Sequence, residues 1–196
     1  MQNERAISNV QTLGPGNRLV IWVNGCNRRC RGCVSPNLQP FDPNNDVNVL
    51  EFMAGFDLSE FDGITISGGE PFEQPEDLCV LVEYCKRNGI DDILVYTGYT
   101  ESELVDKRNP YIDSVLSSIA VLIDGPYIIE LDNGTDNLKG SANQRIIVKN
   151  KDFQDVYYLY HKKGREMQVF NMGKFIVAAG IPDSAFIKSF ENNEEV

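Results

Sequence analysis

The stretch "RLVIWVNGCNRRCRGC", residues 18–33, joins a strand-like run to three clustered cysteines. Its first seven residues are rich in β-branched and aromatic side chains, which are typical of a buried β-strand. The remaining nine place Cys26, Cys30 and Cys33 within eight positions. A strand that leads directly into such a loop predicts a chemical site at the end of that strand.

Three further strand-like runs follow, "GITIS", "DILVYT" and "IAVLID", at residues 63–67, 92–97 and 119–124. Helical patterns separate them, and this alternation is typical of a parallel sheet with helices packed on it. Each run is followed at once by a glycine-containing loop, "GGEP", "GYTES" and "GPYI". Because loops at the carboxyl ends of parallel strands share one edge of the sheet, we expect them to converge on one site.

The helices between these strands have clear start and stop signals. Residues 74–89, "QPEDLCVLVEYCKRNG", predict a helix that begins at Pro75 and stops at Gly89. Thr100 and Glu103 have the spacing of a capping box. A second helical pattern, "PYIDSVLSSI", precedes the fourth strand.

The chain has 196 residues, whereas a closed eight-stranded β/α barrel typically needs ~250. We therefore expect an α/β fold with a partial, open parallel β/α barrel over residues 1–149. After Asn150 the runs "VYYLY", "QVFNM" and "KFIVAAGI" predict strands, and "PDSAFIKSF" predicts a closing helix. Residues 150–196 are thus expected to form a β-rich C-terminal extension packed on the core.

The formal net charge of −11 excludes some classes of partner, because such a field repels nucleic acid and anionic membranes. The longest apolar run, residues 119–123, is far shorter than the roughly 20 residues that span a bilayer. The N-terminus also lacks the pattern of a secretory signal. We expect a cytoplasmic protein that binds neither nucleic acid nor membrane.

Clustered cysteines in a reducing compartment favour metal binding or redox chemistry over structural disulfides. Structural zinc usually takes four protein ligands, and only Cys30 and Cys33 form a Cys-x2-Cys pair. An iron–sulfur cube also needs four ligands, so three cysteines would leave one iron open, as in catalytic metal sites. Cys79 and Cys85 are predicted to be buried structural thiols.

The loop "ISGGEP" after the second strand has the composition of a ligand site. Gly68 and Gly69 permit positive φ angles and close approach of a ligand to the backbone, and Pro71 fixes the exit of the loop. Glu70 offers a carboxylate for a charge-assisted hydrogen bond with an ammonium group.

The cysteine loop and "ISGGEPF" together resemble the radical S-adenosylmethionine superfamily, which carries CxxxCxxC after the first strand and a GGE-type motif after the second. "YTGYTESEL" and "LIDGPYIIEL" with "LKGSANQRII" extend the similarity over about residues 12–148. Over this range the chain looks like the glycyl-radical-enzyme activase branch, which includes activators of anaerobic ribonucleotide reductase. The resemblance implies an open barrel of the radical SAM type.

The resemblance also implies roles for individual residues. Cys26, Cys30 and Cys33 would ligate a 4Fe-4S cluster whose open iron is chelated by S-adenosylmethionine (SAM). The cofactor-binding residues would be Gly68, Gly69, Glu70, Pro71, Thr97, Tyr99 and Asp124. Of these, Glu70 would lie nearest the ammonium group, and Asp124 is alternatively a surface turn residue. Residues 140–145 would face the protein substrate.

The implied activity is that of an oxidoreductase that cleaves SAM reductively to a 5'-deoxyadenosyl radical and thereby generates a glycyl radical on a partner enzyme. Flavodoxin or ferredoxin is the implied reductant. Arg28, Arg29 and Arg31 either solvate the loop, tune a bound cluster or dock an acidic partner.

Two other functions stay open from the residues. One is a radical SAM enzyme that modifies a different peptide or a small molecule, although the lack of cysteine in residues 86–196 favours a single cluster. The other is a non-enzymatic module in which a metal holds an interaction surface together.

Overall fold

The computed structural model describes residues 1–173, 175–183 and 186, and contains a six-stranded sheet and a separate two-stranded hairpin. The strands are β1 (Asn3–Val10), β2 (Arg18–Val23), β3 (Gly63–Gly68), β4 (Ile93–Tyr96), β5 (Val121–Asp124), β6 (Arg145–Val148), β7 (Met167–Asn171) and β8 (Ile176–Gly180). The α-helices are α1 (Val49–Met53), α2 (Pro75–Arg87), α3 (Glu101–Asp106), α4 (Pro110–Ser118) and α5 (Gln154–Tyr160).

The large sheet is mostly parallel, and its strands follow one another in chain order from β1 to β6. Strands β2 to β5 are parallel, and the edge strands β1 and β6 run antiparallel to their neighbours. This confirms an α/β fold with the four predicted strands side by side. The edge strands were not predicted, because polar residues interrupt the apolar pattern of β1 and the apolar run of β6 is only three residues long.

The predicted helix signals are confirmed. Helix α2 begins at Pro75 and buries one face that includes Leu78, Leu81 and Val82. At the start of α3, Thr100 and Glu103 form the reciprocal hydrogen bonds of a capping box. Among the described residues, no helix combines the length and apolar character needed to cross a bilayer.

The two faces of the sheet pack against different parts of the chain. Leu19 and Ile21 of β2 lie in the main core together with buried residues of α1, α2 and α4. Because side chains alternate along a strand, Val20 points to the opposite face, where it clusters with Val177 and Ala179 of β8. Some of the described residues after Asn150 therefore cover the second face of the sheet.

The prediction of a strand at "VYYLY" is wrong, because these residues belong to helix α5. Tyr157 and Tyr160 are buried against the sheet, whereas Tyr158 and Leu159 are exposed. Residues three apart share one face of a helix, and the aromatic composition alone concealed this period. Strands β7 and β8 confirm the next two predicted strands, and most of the predicted closing helix lies outside the described residues.

A buried ion pair ties the amino-terminal ends of the central strands together. The Arg18 guanidinium is fully buried and donates to Thr65 Oγ1 and Asp92 Oδ2, each at 2.7 Å, and to the Ile64 carbonyl at 2.8 Å. The Tyr157 hydroxyl donates to Asp92 Oδ1 at 2.7 Å. The pair thus links β2, β3 and the start of β4 to helix α5.

Replacing Arg18 by Met should lower the free energy of unfolding by about 3–5 kcal/mol, because the Asp92 carboxylate would stay buried without its cation. Urea denaturation under reducing conditions measures the change. Arg87→Met is the control, since its exposed bridge to Glu83 at 2.6 Å should contribute no more than about 0.5 kcal/mol. Equal effects of the two substitutions would contradict a dominant role for the buried pair.

Candidate functional site

The loops after β2 and β3 meet backbone to backbone. Gly69 N donates to the Val23 carbonyl at 2.6 Å, and Glu70 N donates to the Gly25 carbonyl at 2.8 Å. Gly25 N in turn donates to the Leu38 carbonyl at 2.8 Å. A Cβ atom on Gly69 would overlap Gly25 O and would lie 2.8 Å from Leu38 O. Only glycine fits this crossing without displacing one of the two loops.

Gly68 has a φ of +109°, and a Cβ atom there would overlap backbone atoms of Val23. Pro71 begins the 3-10 turn that leads out of the loop, and it is buried. Other atoms therefore approach the two glycines closely, as expected, but these atoms belong to the neighbouring backbone and not to a ligand. Their contact with a cofactor stays a prediction.

The three loop cysteines are free thiols, each partly buried. Cys26 N donates to the Gln39 carbonyl at 2.9 Å, and Cys33 N donates to the Cys30 carbonyl at 3.3 Å. Burial raises the pKa of Cys26, although the backbone N–H groups of Arg28 and Arg29 that point at its sulfur act in the opposite direction. Hydrogen bonds to ligand sulfurs are one means by which proteins adjust iron–sulfur clusters.

Three thiols in one loop are the kind of donor set that holds an iron–sulfur cluster. In residues 1–173, 175–183 and 186, no three His, Cys, Asp or Glu side chains converge closely enough to hold one metal ion. In a cube each thiolate binds its own iron, so the sulfurs need not share one centre. Three uncrosslinked thiols in one loop suit such a group. Cys26, Cys30 and Cys33 are the residues that could hold it.

The remaining cysteines are buried, as predicted. Cys79 and Cys85 are both buried on helix α2. Burial raises the pKa of Cys85 to about 12, so this thiol stays protonated in the apolar core.

Glu70 is a buried carboxylate that joins the ends of β3 and β4. Its Oε1 accepts from Phe72 N at 3.0 Å and from Thr97 Oγ1 at 2.9 Å, and its Oε2 accepts from Gly98 N at 2.7 Å. Burial raises the pKa of Glu70 to about 7 in spite of these three donors. A carboxylate has about four acceptor positions, so about one is left for a ligand.

Thr97 and Tyr99 both lie beside this carboxylate, but only one contacts it. Thr97 is buried, donates to Glu70 and accepts from Tyr99 N at 3.1 Å. The Tyr99 hydroxyl donates instead to Glu73 Oε1 at 2.6 Å. Glu73 was not singled out from the sequence, although it lies three residues after Glu70 in the same turn.

Asp124 is buried and is therefore not an exposed turn residue. Its carboxylate accepts from Glu101 N at 2.7 Å, at the start of α3, and from Arg145 Nε at 2.9 Å. Within residues 140–145, the Ser141 hydroxyl accepts from Ile128 N at 3.1 Å. Asp124 and this segment thus stabilise the β5–β6 connection, and their roles toward a cofactor or partner stay predictions.

The three arginines of the cysteine loop have different surroundings. Arg28 Nη1 lies 3.5 Å from Glu103 Oε1, and Arg31 Nη1 lies 3.0 Å from Glu130 Oε1. Arg29 Nη1 donates to the Gln39 amide oxygen at 3.2 Å. Two of the three cations are therefore matched by carboxylates of the same chain, which weakens the case for a basic docking patch.

The sheet is mostly parallel, three free thiols follow one strand, and a buried carboxylate follows the next. This combination is typical of a class of iron–sulfur proteins. Residues 12–147 match the family model of the 4Fe-4S single cluster domain. The chain is similar to anaerobic ribonucleoside-triphosphate reductase-activating proteins. Identity is 34% for that of Pasteurella multocida and 37% for that of Haemophilus influenzae, each over 145 residues covering 68% of this chain and 88% of the relative.

The corresponding protein of Enterobacteria phage T4 is 33% identical over 143 residues, which cover 68% of this chain and 85% of the relative. The chain belongs to this family of reductase-activating proteins with a 4Fe-4S single cluster domain. The predicted similarity to activators of anaerobic ribonucleotide reductase is confirmed.

Gly69→Ala should destabilise the crossing of the two loops by about 1–3 kcal/mol, because the added methyl group meets two backbone carbonyls. Urea denaturation and iron content after anaerobic reconstitution measure the effect, and both should fall. Gly164→Ala is a matched control, since a Cβ atom there meets nothing within 4 Å. Normal iron loading and stability in the Gly69 variant would contradict the close contact.

Glu70 should make stability depend on pH in an unusual direction. Because its folded-state pKa is raised to about 7, the protonated carboxyl stabilises the fold below the unfolded pKa, and this stability is lost as pH rises through 7. Between about pH 5 and pH 8 the wild type should lose about 2–3 kcal/mol relative to Glu70→Gln. Urea denaturation of the iron-free protein tests this, and parallel pH profiles would refute it.

Proposed function

We propose that this chain is a radical SAM activating enzyme that generates a glycyl radical on a partner enzyme, an anaerobic ribonucleotide reductase. One observation carries the proposal: a loop with three free thiols is hydrogen-bonded, backbone to backbone, to the loop that holds a buried carboxylate with about one open acceptor. The relatives are reductase-activating proteins, which supports the choice of partner.

Cys26, Cys30 and Cys33 would hold a 4Fe-4S cluster. When bound, that cluster would supply one electron to cleave the S–C5' bond of SAM, giving methionine and a 5'-deoxyadenosyl radical that takes a hydrogen atom from a glycine of the partner. The protein would hold the cluster and the cofactor side by side and would exclude water from the site.

Glu70 would bind the ammonium group of the cofactor through the acceptor position left on Oε2. A nearby cation favours the ionised carboxylate, so binding would lower the pKa of Glu70 and release its proton. Thr97 and the backbone of Gly98 keep the carboxylate oriented. Gly68, Gly69 and Pro71 would form the wall on which the methionine moiety lies, with Tyr99 and Asp124 at its margin.

We also propose that the sheet is a partial β/α barrel of the radical SAM type. Four parallel strands in chain order, flanked by α1, α2 and α4 on one face, support this topology. Residues 1–149 would form the barrel core, and residues 150–196 the extension whose described part covers the opposite face. The substrate glycine would approach from the edge of the sheet where the three strand-end loops meet.

Flavodoxin or ferredoxin would deliver the electron, in the cytoplasm, where thiols stay reduced. The net charge of −11 opposes long-range attraction to a carrier that is itself acidic. Docking would therefore depend on local contacts near the cysteine loop rather than on the overall field.

The proposal is tested by anaerobic reconstitution with iron and sulfide, reduction with dithionite and addition of SAM. The wild type should release 5'-deoxyadenosine, and Cys30→Ala should abolish both this product and the EPR signal of the reduced cluster. Cys79→Ala, which removes a buried thiol of α2, should retain both. Stoichiometric zinc without product would instead support a metal-stabilised interaction module.

The partner is tested by adding an anaerobic ribonucleotide reductase to the active mixture. A glycyl radical should appear in the EPR spectrum of the reductase. Release of 5'-deoxyadenosine without that radical would overturn the choice of partner and favour a different peptide or a small molecule as substrate.

A further inference from the structure

The segment between the first two loop cysteines is fixed by side chains that reach two other strand-end loops. Asn27 Nδ2 donates to Glu73 Oε2 at 3.0 Å. The guanidinium carbon of Arg28 lies 4.6 Å from the ring centroid of Tyr99, a cation–π contact. Arg28 Nη1 also lies 3.5 Å from Glu103 Oε1. Both residues that follow the first cysteine are therefore held from outside their own loop.

Glu73 is the point at which these contacts meet. One carboxylate oxygen accepts from the Tyr99 hydroxyl at 2.6 Å, and the other accepts from Asn27 at 3.0 Å. The first of these is a short, charge-assisted O–H···O⁻ bond of the stronger kind. Burial and the Glu73 carboxylate raise the pKa of Tyr99, so its hydroxyl remains a donor at neutral pH.

Glu70 and Glu73 lie in one turn and bind two different loops. Glu70 binds the β4–α3 connection through Thr97 and Gly98, whereas Glu73 binds the cysteine loop through Asn27. The two sets of contacts adjoin each other at Gly98. A Cβ atom placed there would lie 3.3 Å from Arg28 Cγ and 3.5 Å from Glu70 Oε2. Arg28 and the buried carboxylate therefore both border Gly98.

From this geometry we infer that Glu73 is a positioning residue that fixes the cysteine loop relative to Glu70 by accepting from Asn27 and Tyr99 together. Glu73 is not among the residues proposed to bind the cluster or the cofactor, and it acts through the loop that carries the thiols. If the positioning role holds, the cluster and the ammonium site are kept at a fixed separation. This consequence rests on the proposed function. The positioning role itself is testable without either group.

Glu73→Gln is the informative substitution, because an amide keeps the shape of the side chain but offers one acceptor and one donor in place of two acceptors. The amide oxygen can then accept from only one of the two partners, and any contact of the NH2 group with the Tyr99 hydroxyl must run in the reverse direction as a neutral bond, so the strong charge-assisted bond is lost. Tyr99→Phe is a second variant, which removes the hydroxyl and leaves the ring under Arg28. Glu76→Gln is the matched control, since Glu76 is exposed at the start of α2 and its substitution changes the charge equally.

The first readout is the rate at which iodoacetamide alkylates each cysteine in the reduced, iron-free protein, followed by mass spectrometry. In Glu73→Gln and Tyr99→Phe we expect Cys26 and Cys30 to react about threefold or more faster than in the wild type, because the loop opens more often. Cys79 and Cys85 should react at unchanged rates, which separates loop release from general unfolding. Loop rates equal to those of Glu76→Gln would overturn the inference.

The second readout is the binding of SAM to the reconstituted protein, followed by the change in the EPR spectrum. Glu73→Gln should retain its iron and sulfide but bind SAM about tenfold more weakly, as is typical when a partner that orients a ligand-bearing group is removed. An unchanged affinity of Glu73→Gln for SAM would show that Glu73 does not position the cofactor site. If the wild type binds no SAM, the proposed function fails, and the alkylation rates alone decide the positioning role.

Discussion

The backbone contact between Gly25 and Gly69 is the constraint on which the rest of the site depends. Cys26 directly follows Gly25 in one loop, and Glu70 directly follows Gly69 in the other, so both lie next to this contact. No side chain fits at Gly69, so the separation of the two loops is set by main-chain atoms, which have little freedom to adjust. Thiols and carboxylate are thus brought together by backbone packing rather than by a direct bond between them.

The opposite end of the sheet carries the stabilising ion pair. Arg18 and Asp92 lie at the amino-terminal ends of the central strands, and Tyr157 of the C-terminal part of the chain completes their hydrogen bonds. Stability and chemistry are therefore placed at opposite ends of the same strands, as in other parallel α/β folds. The loops at the carboxyl ends can carry glycines and half-buried thiols because the strands are anchored elsewhere.

The sequence was sufficient for the central strands, helix α2 and the capping box of α3, because each has a strong local pattern. It was insufficient for α5, where only Tyr157 and Tyr160 are buried, and for the edge strands, because polar residues interrupt β1 and the apolar run of β6 is only three residues long. In the site, the cysteine spacing and the "GGEP" loop pointed to the thiols and Glu70, and the structure places the two loops in contact. The link from Glu73 to Asn27 was not predictable, since those residues are 46 positions apart and meet only in the folded chain.

The most direct measurement of the central proposal is a Mössbauer spectrum of the reconstituted protein with and without SAM. A cube held by Cys26, Cys30 and Cys33 next to Glu70 has one iron without a protein thiolate, so adding SAM should change the signal of one iron site and leave the other three unaltered. A spectrum that SAM does not change, or one in which all four irons respond alike, would contradict an open iron beside the carboxylate.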